Sequence, residues 1–170
     1  MVFVKCLKFG LRASCRKVLS SLCGVLFVEG VFGLGAKWVA DLLDELDRTV
    51  DEETRVKILE GCGRKCIGEG MLKKAEAIAE KSESAEEFLE GLGKVWKHLS
   101  VSEDGVFVVY DRCYCPLVRG YEGELSASFC NCSVGWIKEL FERALKKPVR
   151  VEKQGTVKQG DKQCKFKITT

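Results

Sequence analysis

Cysteine constrains this chain more than any other feature: ten cysteines stand against a single histidine, His98, in 170 residues. One imidazole leaves little room for histidine-based catalysis or His-rich metal sites, so any special chemistry falls to thiols. Ten cysteines fit disulfides in an oxidising compartment or thiolates in a reducing one. The spacing favours the second. Cys113 and Cys115 form one C-x-C pair and Cys130 and Cys132 another, and such close pairs rarely close on themselves. The expected compartment is the cytoplasm.

The rest of the composition describes an ordinary globular unit. The chain is 46% hydrophobic and 31% charged with two prolines, which excludes a disordered or low-complexity chain. A chain of this length buries about 70% of the surface its unfolded form exposes, without a disulfide scaffold. A net charge of +3, with no aromatic-interleaved basic motif, gives no nucleic-acid partner. Charge is uneven, however. Residues 41–90 hold 15 acidic and 8 basic side chains, whereas residues 136–170 hold 10 basic and 4 acidic. The two regions form separate solvated faces, meet within the chain or between copies, or offer a basic patch to an anionic partner.

Two parts are expected: an N-terminal amphipathic segment over residues 1–35 and a single α+β domain over residues 36–170. In the first, Leu7, Leu11, Cys15, Val18 and Leu22 recur at helical steps. Glu29 interrupts the apolar run and no small-residue cleavage site follows, so a docked helix is favoured over a signal peptide or membrane-surface anchor. Residues 36–100 read as helical, with stripes at Trp38, Leu42, Leu43 and Leu46, and at Val56, Leu59 and Cys62 or Ile58, Cys62 and Cys66. Ser84 and Glu87 form a capping box before Phe88, Leu92, Val95 and Trp96. The cysteine-rich β part covers residues 104–170. After a turn at Ser102–Gly105, Val106–Tyr110 reads as a strand continuing through Cys113 and Cys115 to Val118. Ser133 caps a helix that Pro148 stops, and Val149, Val151, then Cys164, Phe166 and Ile168, alternate as strands. N-terminal helices, then an antiparallel sheet with one helix inserted between two hairpins, is an α+β order.

Five cysteines fall as C-x-C, 14 residues, C-x-C, 31 residues, then C. On a strand, Cys113 and Cys115 present both sulfurs to one face. Cys130 and Cys132 precede a helix N-terminus, where thiolates are favoured. With Cys164 they make a soft sulfur site suited to zinc or to an iron–sulfur cluster, with zinc preferred because no ferredoxin spacing is present. The alternatives are inert core thiols and a redox site. Cys62 and Cys66, four apart on a helix beside Arg64 and Lys65, form a separate thiol pair with lowered pKa values, or sit in the core. His98 reads as a polar residue near a helix end.

Several stretches resemble a known family. Cys130-x-Cys132-Ser133-x-Gly135-Trp136, Lys147-Pro148-Val149-x-Val151-Glu152 and Gly160-Asp161-x-x-Cys164-x-Phe166-x-Ile168 resemble the four-vinyl-reductase domain, a small-molecule-binding domain. With Cys62-Gly63-Arg64-x-Cys66 and Cys113-x-Cys115-Pro116, residues 36–170 also resemble prokaryotic proteins grouped with the L-2-amino-thiazoline-4-carboxylic acid hydrolase family. The resemblance implies a compact α+β domain with an apolar pocket, in a monomer or homodimer, and zinc held by an early cysteine, a glutamate and two later cysteines. Cys130 or Cys132 matches the early ligand and Cys164 the last. The middle cysteine falls on Thr156 and the glutamate on Lys153, beside Glu152, so Cys113 and Cys115 are expected to supply the missing sulfurs.

The first reading is therefore a zinc-binding domain for a small apolar or aromatic ligand. Phe107, Tyr110, Trp136, Phe141 and Phe166 are candidates for the pocket wall. The second is a hydrolase of a thiazoline- or amide-like substrate, using a cysteine or metal-bound water and a carboxylate base such as Asp111 or Glu124. The third is an iron–sulfur redox protein.

Overall fold

The computed structural model describes residues 34–118 and 120–169. The segment expected over residues 1–35 lies outside these, apart from its last two residues. Helix α1 covers residues 34–49. Helices α2 (Glu52–Cys66), α3 (Glu69–Ala79) and α4 (Ala85–Val95) follow, then strands β1 (Leu99–Ser102) and β2 (Gly105–Tyr110), helix α5 (Asn131–Leu145), and strands β3 (Arg150–Gly155) and β4 (Cys164–Thr169). The fold is α+β, with a helix between two antiparallel strand pairs. Among the described residues no helix is long and apolar enough to cross a membrane.

Local signals account for several helix boundaries. Asp51 caps α2 by accepting from the Thr54 N–H at 2.9 Å. Ser84 Oγ accepts from the Glu87 N–H at 3.1 Å, while the Glu87 carboxylate reaches back to the Glu83 N–H at 2.7 Å, one residue before the expected partner. Such a cap satisfies donors that a helix start leaves open. Helix α5 ends in left-handed Lys146, with Pro148 just beyond.

The sheet order is β1-β2-β4-β3, antiparallel throughout. In the central pair Val106 faces Ile168, Val108 faces Phe166 and Tyr110 faces Cys164. Alternation therefore sends Cys164, Phe166 and Ile168 inward under α5, where Val134, Ile137, Leu140, Phe141 and Ala144 are buried. A second core joins Ala40 and Leu43 of α1 and Leu59 of α2 to Val118, Leu125 and Phe129.

Three sequence expectations are corrected here. The helical region stops short of residue 100, because Leu99 already opens β1 and pairs with Val108. Strand β2 ends at Tyr110, so Cys113 and Cys115 lie in the following loop rather than on an extended strand. Helix α1 buries Ala36, Ala40 and Leu43, while Trp38 is 65% exposed and Leu42 also faces out. The small alanines let α1 pack closely beside Leu43, and Trp38 and Leu42 of the expected stripe face away.

The charge asymmetry is met in part within the chain. Lys138 of α5 meets Glu60 of α2 at 2.7 Å, and Arg143 meets Glu76 and Glu69 of α3 at 2.9 and 3.2 Å. Glycine allows α2 and α5 to touch backbone to backbone. A Cβ on Gly63 would lie 2.7 Å from the Cys132 carbonyl carbon, and one on Gly135 would lie 2.7 Å from the Glu60 carbonyl carbon.

Candidate functional site

The cysteines converge on a cavity of about 240 Å³ at the seam between the two cores. Four separate stretches of chain supply them. Cys66 ends α2, Cys113 and Cys115 come from the loop after β2, Cys130 and Cys132 from the start of α5, and Cys164 from the start of β4. All five cysteines expected at one site line it, and Cys66 joins them. Cys62 and Cys66 are both exposed rather than in the core, and of the two only Cys66 lines the cavity. The close approach at Gly63 places Cys66 one turn further on, at the edge of the cavity.

Each thiol is positioned by its element. The β2–β4 register sets Cys164 opposite Tyr110, and the Val157 N–H points at its sulfur from 3.4 Å. Cys113 and Cys115 are held by a braced loop. The Tyr114 hydroxyl donates to Asp111 at 2.9 Å, and the Val118 N–H donates to the Cys115 carbonyl at 3.3 Å. His98, whose Nδ1 lies 3.2 Å from the Val109 carbonyl oxygen, packs its ring against Tyr110 and Tyr114.

Helix α5 begins two residues before the expected cap. Cys130 is its N-cap residue and Cys132 lies within the first turn. Ser133 is thus inside the helix, because successive tight turns from Ser126 onward already wind the chain. The expected thiolate stabilisation there is outweighed by burial. Burial pushes Cys130 up to about 11 and Cys132 up to about 12, because an apolar surrounding penalises the charged form. Burial also raises Cys115 and Cys164. Thr156, where the resemblance placed a cysteine, is buried, and its hydroxyl donates to Gln159 Oε1.

Electrostatic influence links the set. Cys132 is affected by Cys115, Cys130 and Cys66, and Cys130 by Cys164 and Cys113. Among the described residues, no three Cys, His, Asp or Glu side chains are already close enough together to hold an ion. The sulfurs ring the hollow.

The remaining wall is aromatic. Tyr110, Trp136 and Phe166 line it as expected, with Tyr114 and Phe129 added. Phe141 instead packs in the core, edge-on to Phe88 at 6.0 Å between ring centroids. Phe107 lies on the opposite sheet face beneath Lys165, whose ammonium is 4.2 Å from the ring centroid. Strand alternation separates Phe107 from Tyr110, and helical spacing carries Phe141 beyond the cavity. Arg64, expected to act on the neighbouring thiols, is engaged by Glu139 and Glu142 at 3.0 and 2.8 Å.

Residues 34–170 match the model of a family of unknown function, DUF6144, and the chain belongs to that family. No curated protein matches the chain.

Proposed function

We propose that this DUF6144 member binds a soft metal centre in the cysteine cavity, with zinc as the first candidate, and takes a small apolar or aromatic ligand beside it. One observation carries the reading: six thiols from four stretches of chain surround one hollow whose lining includes no carboxylate or imidazole. All-sulfur donor sets select zinc, copper(I) and iron–sulfur clusters over hard cations. A single χ1 change moves a cysteine sulfur by roughly 3 Å, enough for thiols ringing a hollow to draw in around an ion. Binding would replace thiol protons with metal, removing the penalty that burial imposes on bare thiolates.

Four thiolates satisfy one zinc ion. The cavity has two further thiols and an aromatic wall formed by Tyr110, Trp136 and Phe166, consistent with a ligand space beside the ion. The same excess of sulfur and volume supports a second reading, an iron–sulfur cluster, which needs more room than a lone ion. A hydrolytic role is less well served. Asp111 is outside the cavity lining, bonded to Tyr114, and Glu124 lines a separate surface hollow.

The test is metal and sulfide analysis of full-length protein purified without an affinity tag under anaerobic conditions. About one zinc per chain in colourless protein supports the first reading. Iron with acid-labile sulfide and a brown colour transfers support to the second. Protein that contains neither, and binds neither after reconstitution, refutes a metal centre.

A further inference from the structure

The cysteine cavity opens beside a second hollow, and the two share Arg112, Cys113 and Tyr114; Val157 and Lys158 complete the second. No carboxylate lines either hollow. Two cations therefore flank this vestibule with neutral partners. The Arg112 guanidinium lies 4.9 Å from the Tyr114 ring centroid, and Lys158 Nζ donates to the Tyr121 carbonyl at 2.5 Å. Neither forms an ion pair among the described residues, and the adjacent Asp111 accepts instead from the Tyr114 hydroxyl. Along the α2–α5 and α3–α5 contacts, by contrast, Arg64, Lys138 and Arg143 all meet carboxylates.

We infer that this vestibule is an anion subsite: the cavity ligand carries a carboxylate or similar monoanionic head held by Arg112 and Lys158, while its apolar body enters along Tyr110 and Trp136. The inference rests on the reading that a small molecule occupies the cavity. A planar guanidinium matches a carboxylate through two parallel hydrogen bonds, and a lysine adds a movable point charge. Stacking on Tyr114 holds the guanidinium at the rim, so less freedom is lost when an anion arrives.

The test uses matched probes: phenylacetate against phenylacetamide, benzoate against benzamide, and octanoate against octanamide. Binding to full-length protein is measured by calorimetry and thermal shift, with and without its metal. The Arg112→Gln/Lys158→Gln variant is run in parallel, with circular dichroism to confirm its fold. At least one acid is expected to bind tenfold or more tightly than its amide, with or without metal, and the double variant should abolish that preference. Equal binding of acid and amide, or no binding by any pair, overturns the inference. So does a preference that survives the double variant or appears only with metal, since the metal would then hold the anion. Metal content without acid preference leaves the metal reading standing and this one fallen; acid preference without metal does the reverse.

Discussion

Gly63 and Gly61 lie two residues apart on α2, yet alanine should act on them in opposite directions. A Cβ at position 61 meets nothing within 4 Å, whereas one at position 63 would lie 2.7 Å from the Cys132 carbonyl carbon and 2.9 Å from its Cα. Alanine in a helix gains about 1 kcal/mol over glycine, and Gly61→Ala should retain most of that. At position 63 the obstruction is backbone, which no rotamer change can move aside, so α2 and α5 must part by roughly an ångström. Overpacking of this kind costs about 1–3 kcal/mol, and the rigid partner places Gly63→Ala at the upper end. After the helix gain, about 2 kcal/mol of destabilisation remains, or a Tm lower by about 4–8 °C for a chain of this size. Parting the helices also moves Cys66 away from Cys132, so metal occupancy should fall in the same variant. Thermal unfolding by circular dichroism, paired with metal analysis, checks both effects. If Gly63→Ala matches or exceeds the wild type in Tm, the backbone contact does not set the position of Cys66 and the reasoning fails.

Three further outcomes are expected. Cys132→Ser should lower metal content several-fold, whereas Cys62→Ser, outside the cavity, should leave it unchanged; elemental analysis of both variants reads the difference. Metal-free protein should lose stability in alkali. Well below about pH 8.5 Cys130 and Cys132 are protonated whether the chain is folded or unfolded, and their contribution is intact. As pH rises the unfolded chain ionises first, while Cys130 and Cys132 hold their protons towards about 11 and about 12. The loss is on the order of 2–3 kcal/mol per group by linkage. Urea titrations at pH 8 and 10.5 measure it, and metal-loaded protein should be far less sensitive because its ligating thiols are already deprotonated. Finally, Ser84→Ala should cost about 1 kcal/mol through the lost cap without changing metal content, as a melting curve and elemental analysis would show.

Signals confined to a few neighbouring residues were readable in the sequence. The cap at Ser84, the stop at Pro148 and the alternation of Cys164, Phe166 and Ile168 all reappear in the structure. The helix–strand order followed from the change in hydrophobic period, and with it the α+β class. Long-range packing was less legible. Trp38 looked like a core residue beside Leu42 and Leu43, but which side of α1 faces inward depends on how closely another element approaches, and Ala36 and Ala40 allow the closer approach. The gathering of Cys113, Cys115, Cys130, Cys132 and Cys164 was anticipated, but partly for the wrong reason. Strand alternation was expected to aim the C-x-C pair, whereas a loop braced by Tyr114 and Asp111 positions it. Cys66 was assigned elsewhere because nothing near Cys62-Gly63-Arg64-Lys65-Cys66 identifies the helix against which Gly63 packs.

The cavity's place in the fold bears on why so many thiols are there. Cys164, Tyr110 and Trp136 belong to the core beneath the sheet, while Cys113, Cys115, Cys130 and Cys132 belong to the core built on α1, α2 and the 118–129 segment. A hollow between two apolar clusters lacks atoms on its inner side and forfeits dispersion contacts there. Larger apolar side chains at the cysteine positions would fill it, as they do under α5. Small, polarisable thiols leave it open, and burial holds the protons of Cys115, Cys130, Cys132 and Cys164 more tightly. An ion bound by thiolates from both sides would bridge the two cores, and its binding free energy would add directly to the stability of their contact.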